Sequence, residues 1–129
     1  MTTKNIVRTD QAPKAIGPYS QAVEAKGFVF VSGQIPLDPK TGAMVSGDIR
    51  EQTRRVMENG KAILAAAGCG MEHIVKTTIY LKSIGDFGAV NEVYGSYFPS
   101  DPPARATVEV ARLPKDAPVE MDFIAVKGY

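Results

Sequence analysis

Apolar residues return every three or four positions between residues 49 and 67. Ile49, Thr53, Val56, Met57, Gly60, Ile63, Leu64 and Ala67 fall on one side, and Arg50, Glu51, Arg54, Arg55, Glu58 and Lys61 on the other. This period predicts an amphipathic helix with one buried stripe. Asp48, three residues before Glu51, is placed to cap its first turn, and Gly68 after Ala65-Ala66-Ala67 to end it. A second helix is predicted at about 86–98, with Phe87, Val90, Tyr94, Tyr97 and Phe98 on one face and Pro99 as its stop.

Strand character belongs to residues 28–32, 75–81, 104–111 and 119–126, with a weaker run at 5–8. The order ββαβαββ predicts an α+β fold, one mostly antiparallel sheet with two helices packed on one face. Two helices cover one face only. Yet residues 28–31 are apolar on both sides, and the last strand puts Ile124 and Val126 on the face that Glu120 shares. No residues remain to cover that face, so copies of the chain are expected to pack sheet face on sheet face, with crevices at their boundaries.

Length and composition narrow the function classes. The 129 residues suit a single domain, 1–129, and 44% hydrophobic with 22% charged residues describes a soluble globular protein. Fifteen basic against fourteen acidic residues give a net charge of +1 with no basic block, which argues against nucleic acid as the main partner. The N-terminus lacks the apolar stretch of a signal peptide and no apolar run is long enough to span a bilayer, so a cytoplasmic location is expected. Cys69 is the only cysteine and His73 the only histidine, too few soft ligands for a zinc site. Both are read as structural. No phosphate-binding glycine loop or Schiff-base lysine is recognisable, so no cofactor and no metal are expected.

The segment from Pro103 to Pro114 carries the chemistry most directly, because it sets Arg105 on a short strand bounded by proline. A guanidinium matches a carboxylate bidentately, and a strand fixes that fork better than a loop. The plainer alternative is a solvated face shared by Arg105, Thr107 and Glu109, with Ala106, Val108 and Val110 pointing into a core.

Four blocks, in order along nearly the whole chain, resemble the RidA/YjgF family of reactive-intermediate imine deaminases. They are Ala15-Ile16-Gly17-Pro18-Tyr19-Ser20-Gln21-Ala22, Val31-Ser32-Gly33-Gln34-Ile35-Pro36, Val75-Lys76-Thr77-Thr78, and Pro103-Ala104-Arg105 through Val108-Glu109-Val110-Ala111-Arg112-Leu113-Pro114-Lys115-Asp116. The resemblance implies a chorismate-mutase-like fold, a homotrimer and active sites in clefts between subunits. It also implies a substrate class: 2-imino acids and their enamines, such as 2-aminoacrylate, 2-iminopropanoate and 2-iminobutanoate, released by pyridoxal-phosphate enzymes acting on serine or threonine. Hydrolysis gives a 2-oxo acid and ammonia.

By that resemblance Arg105 pairs with the substrate carboxylate and Glu120 orients or deprotonates the attacking water. Tyr19 stands at the site mouth, Ser32 and Gly33 line the pocket, Asn91 reaches it from the second helix, and the backbone at Ala106 and Thr107 contacts substrate. Each residue also has a plainer reading. Glu120 is then an exposed acid with Asp122 as its rival, Tyr19 a turn residue sealing the core, Ser32 and Gly33 a strand bulge, and Asn91 a partly buried amide. Many relatives carry a cysteine where this chain has Thr107, so no thiol nucleophile is available there, whereas attack by water needs none. The competing functions are a small-carboxylate-binding or chaperone-like trimer, and an endoribonuclease or translation inhibitor.

Overall fold

In the computed structural model, which describes residues 3–128, the long amphipathic run becomes helix α1 (Ile49–Ala66). Asp48 Oδ1 accepts the Glu51 backbone N–H at 3.0 Å, satisfying one donor of the first turn. The far end closes as a Schellman motif: the Gly68 N–H donates to Ala65 O (3.0 Å) and the Cys69 N–H to Leu64 O (2.8 Å), with Gly68 at φ +82°. Helix α2 (Phe87–Ser96) is shorter than the 86–98 expected. Its last turn tightens, with Tyr97 and Phe98 N–H groups donating three residues back, to Tyr94 and Gly95, before Pro99 ends the run.

Six strands form one sheet: β1 (Lys4–Val7), β2 (Ala22–Ala25), β3 (Phe28–Gln34), β4 (Ile74–Leu81), β5 (Ala104–Glu109) and β6 (Val119–Val126). Their spatial order is β1-β2-β3-β6-β4-β5, and the pairings are antiparallel except β4 with β5. Strand β2 was not expected, which corrects the order to βββαβαββ. Its four residues carry two alanines and a glutamate, too weak a β signal to read alone. What creates it is the two-residue turn Lys26–Gly27, both residues at positive φ, which returns the chain onto β3 as a hairpin.

Both helices lie on one face. Strands β3 and β4 flank β6, so the connection through α1 crosses over β6, where the Phe123 ring packs against Gly60 with no room for a Cβ. Along β6, Val119, Met121, Phe123 and Ala125 are buried beneath the helices, while Glu120, Asp122, Ile124 and Val126 alternate onto the other face. That second face stays open: Phe28, Phe30 and Val108 are each more than two-fifths exposed.

Strand β5 reverses one expectation. Arg105 registers with Thr77, which registers with Phe123, so Arg105 and Thr107 lie on the helix side and Ala106 and Val108 on the open side. No solvated Arg105 face opposite a buried Ala106–Val108 face exists. The edge position of β5 leaves Ala106 and Val108 exposed, and α2, not the sheet core, packs beside Arg105.

Candidate functional site

The residues singled out by sequence fall into two groups on opposite faces of the sheet. The first surrounds a cleft of about 490 Å³ lined by Tyr19, Ser32, Gly33 and Glu120, together with Gln34 and Lys115. Strand β3 bulges at this point: Val31 registers with Phe123 and Gln34 with Met121, so Ser32 and Gly33 together oppose Asp122. The bulge and the pocket wall are therefore one feature. Gly33 lets the Glu120 carboxylate lie directly on the β3 backbone, since a Cβ there would collide with Glu120 Oε2. Burial, and then the neighbouring charge of Asp122, push the Glu120 carboxyl above its ordinary range. A carboxyl so placed holds and releases a proton closer to neutrality than an exposed one.

The loop before β2 forms the cleft's other wall, and buried Gln21 holds it. The Gln21 side chain accepts the Thr9 N–H (2.7 Å) and donates to Thr9 O (3.0 Å) and Pro13 O (2.8 Å). Ser32 ties the same loop to β3: its hydroxyl donates to Ser20 O (2.5 Å), and its N–H to Gln21 O (2.9 Å). Tyr19 is half exposed at the cleft's mouth, its hydroxyl accepting the Ile16 N–H at 3.4 Å, so it does not seal the core. On the third side, fully buried Asn59 of α1 donates to Leu37 O (3.0 Å) and anchors the strand-to-helix loop that brings Ile35 and Leu37 to the cleft.

The second group gathers around Arg105. Its Nη1 donates to Asn91 Oδ1 at 2.6 Å, and its guanidinium carbon lies 5.0 Å from the centre of the Tyr94 ring and 5.4 Å from that of Phe87. No carboxylate of the described residues pairs with it. Asn91 is exposed, not partly buried, and its side chain reaches Arg105 on β5. Beside Arg105, the Thr107 hydroxyl is buried with no hydrogen-bond partner. Within one chain, Arg105 and Glu120 lie on opposite faces of the sheet.

The family model described as Endoribonuclease L-PSP matches residues 9–127. A RutC family protein of Pyrococcus abyssi is 56% identical over 96% of this chain and 98% of its own. The human 2-iminobutanoate/2-iminopropanoate deaminase is 46% identical over 97% of this chain and 91% of its own. The chain belongs to the RidA/YjgF family. Its fold is likewise that of a crystal structure of E. coli TdcF with bound serine, at a TM-score of 0.92 and 44% identity over 96% of this chain and 99% of that one. No helix among the described residues is long and apolar enough to cross a membrane.

For this RidA/YjgF member the sequence left several contributors unread. Gln21 and Asn59 are amides within mixed segments, and their role depends on carbonyls distant in sequence. Phe87 and Tyr94 were legible only as a helix's apolar face, and Lys115 only as a surface lysine in a matched block. Cys69 is buried, which pushes its thiol up, and His73 Nδ1 accepts the Gly70 N–H at 2.8 Å. Both serve the turn after α1.

Proposed function

We propose that this protein hydrolyses 2-imino acids, including 2-iminopropanoate, 2-iminobutanoate and the enamine 2-aminoacrylate, to 2-oxo acids and ammonia. Its sites form between copies of a homotrimer, Arg105 coming from one copy and Glu120 from another. The observation that carries this reading is the Arg105 fork, held by Asn91 and two rings with no carboxylate of its own among the described residues. The mammalian relatives named as 2-iminobutanoate/2-iminopropanoate deaminases support the same substrate class.

The chemistry asks little of the protein beyond positioning and proton transfer. Arg105 binds the substrate carboxylate and Asn91 steadies the fork. The imine carbon is already electrophilic, so water adds to it as Glu120 takes the water's proton. Starting from the imine protonated on nitrogen, Glu120 returns the water's proton to that nitrogen and then takes the proton of the new hydroxyl as the carbon–nitrogen bond breaks, so the carbonyl forms and ammonia leaves. A carboxyl raised above its ordinary range suits these transfers better than an exposed one. Tyr19, Ser32 and Gly33 close the cleft around the water, and the backbone at Ala106 and Thr107 meets the carboxylate beside Arg105. No step needs a thiol, a metal or a cofactor.

The test couples the purified protein to a threonine dehydratase and follows 2-oxobutanoate release, with cleavage of a mixed-sequence RNA measured in parallel. Accelerated 2-oxobutanoate release without RNA cleavage is expected. Arg105→Lys keeps the charge but loses the fork, and is expected to lower kcat/KM by roughly 10- to 100-fold. Glu120→Gln is expected to lower kcat while leaving 2-oxobutanoate binding nearly intact. RNA cleavage with no effect on imine decay would overturn the proposal.

A further inference from the structure

Arg105 is exposed, and its hydrogen bond to Asn91 joins two exposed side chains. Such a contact is weak on its own and leaves a long side chain with several competing rotamers. What lies beneath it is more rigid. Tyr94 is only 5% exposed, its ring centre is 4.8 Å from that of Phe98, and its hydroxyl meets the Thr77 hydroxyl at 2.7 Å. Thr77 is fully buried in β4, next to central strand β6, and registers directly with Arg105 on the same face of the sheet. The guanidinium thus rests on a ring whose far end is tied to a fully buried residue of the sheet.

We infer that Thr77 is a positioning residue for Arg105: its hydroxyl pins the Tyr94 ring, and the pinned ring fixes the plane in which the guanidinium receives a carboxylate. Burial raises the Tyr94 phenol above its ordinary range, so it stays neutral, and either hydroxyl can donate in this bond. Without the Thr77 hydroxyl, the phenol is a buried polar group lacking its partner and must turn to find another. Turning it withdraws the platform from Arg105. This rests on the carboxylate-binding role given to Arg105 above.

The variants are Thr77→Val, which keeps shape and removes the hydroxyl, Thr77→Ser, which restores it, and Tyr94→Phe, which keeps the ring and removes its tether. Thr77→Val and Tyr94→Phe are each expected to raise KM and the Kd for 2-oxobutanoate roughly three- to tenfold, with kcat within about twofold of wild type. Thr77→Ser should bind as wild type does. The double variant should be no worse than either single one, because both remove the same bond. A second readout, the Arg105 Nε–H resonance assigned by its loss in Arg105→Lys, should be sharp in wild type and Thr77→Ser and exchange-broadened in the other two. If wild type neither binds 2-oxobutanoate nor turns over imine, the functional reading fails while this resonance still reports on positioning. Unchanged binding together with an unchanged resonance in folded Thr77→Val would overturn the inference, whatever its melting temperature.

Discussion

At the scale of single residues the site depends on atoms that are missing as much as on those present. Gly33 has no Cβ, and that vacancy is where the Glu120 carboxylate lies. Gly33→Ala is therefore expected to fold normally, since a flexible carboxylate can swing aside, but to lose most of its turnover, which parallel circular dichroism and kinetics would check. Thr107 is the opposite case, a buried hydroxyl without a partner. Thr107→Val should stabilise the fold by on the order of 1 kcal/mol in denaturant titration and keep activity, because the proposed contact at 107 uses the backbone. Glu120 ties pH to stability and, in the proposed reaction, to turnover. Its folded-state affinity for a proton exceeds that of the unfolded chain, so stability is lost as pH rises from the ordinary carboxylate range through the raised value. Glu120→Gln should thus melt higher than wild type at neutral pH and show no such gain below the ordinary range. Asp122→Asn, which removes the second cause of the shift, should move the acid limb of kcat/KM to lower pH.

At the scale of elements, stripes and caps were the legible part. Helix α1 lies where its period and Asp48 placed it, and four of the six strands had clear β-branched or aromatic runs. Strand β2 was not legible because a hairpin partner and not its own composition makes it a strand. The face of Arg105 was misjudged because alternation gives two faces without saying which one meets the core, and on an edge strand neither face is fully buried. The loop walls of the cleft were illegible for another reason: they are set by one amide reaching several carbonyls across many residues. Gln21→Leu strands those backbone groups together. It should cost roughly 2–3 kcal/mol and raise KM, read by thermal melts and kinetics side by side.

At the scale of the whole molecule, one sheet face is covered by helices and the other presents Phe28, Phe30, Ile124 and Val126. The proposed trimer covers that face and, in doing so, brings Glu120 of one copy toward Arg105 of the next. The most direct measurement mixes two inactive variants, Arg105→Ala and Glu120→Gln, each first shown by light scattering to assemble as wild type does. After joint unfolding and refolding at equal amounts, a shared site has a wild-type Arg105 facing a wild-type Glu120 in about one boundary in four, so about a quarter of wild-type activity should return. If the mixture stays as inactive as its components, both residues act from the same chain and the account of the site is wrong.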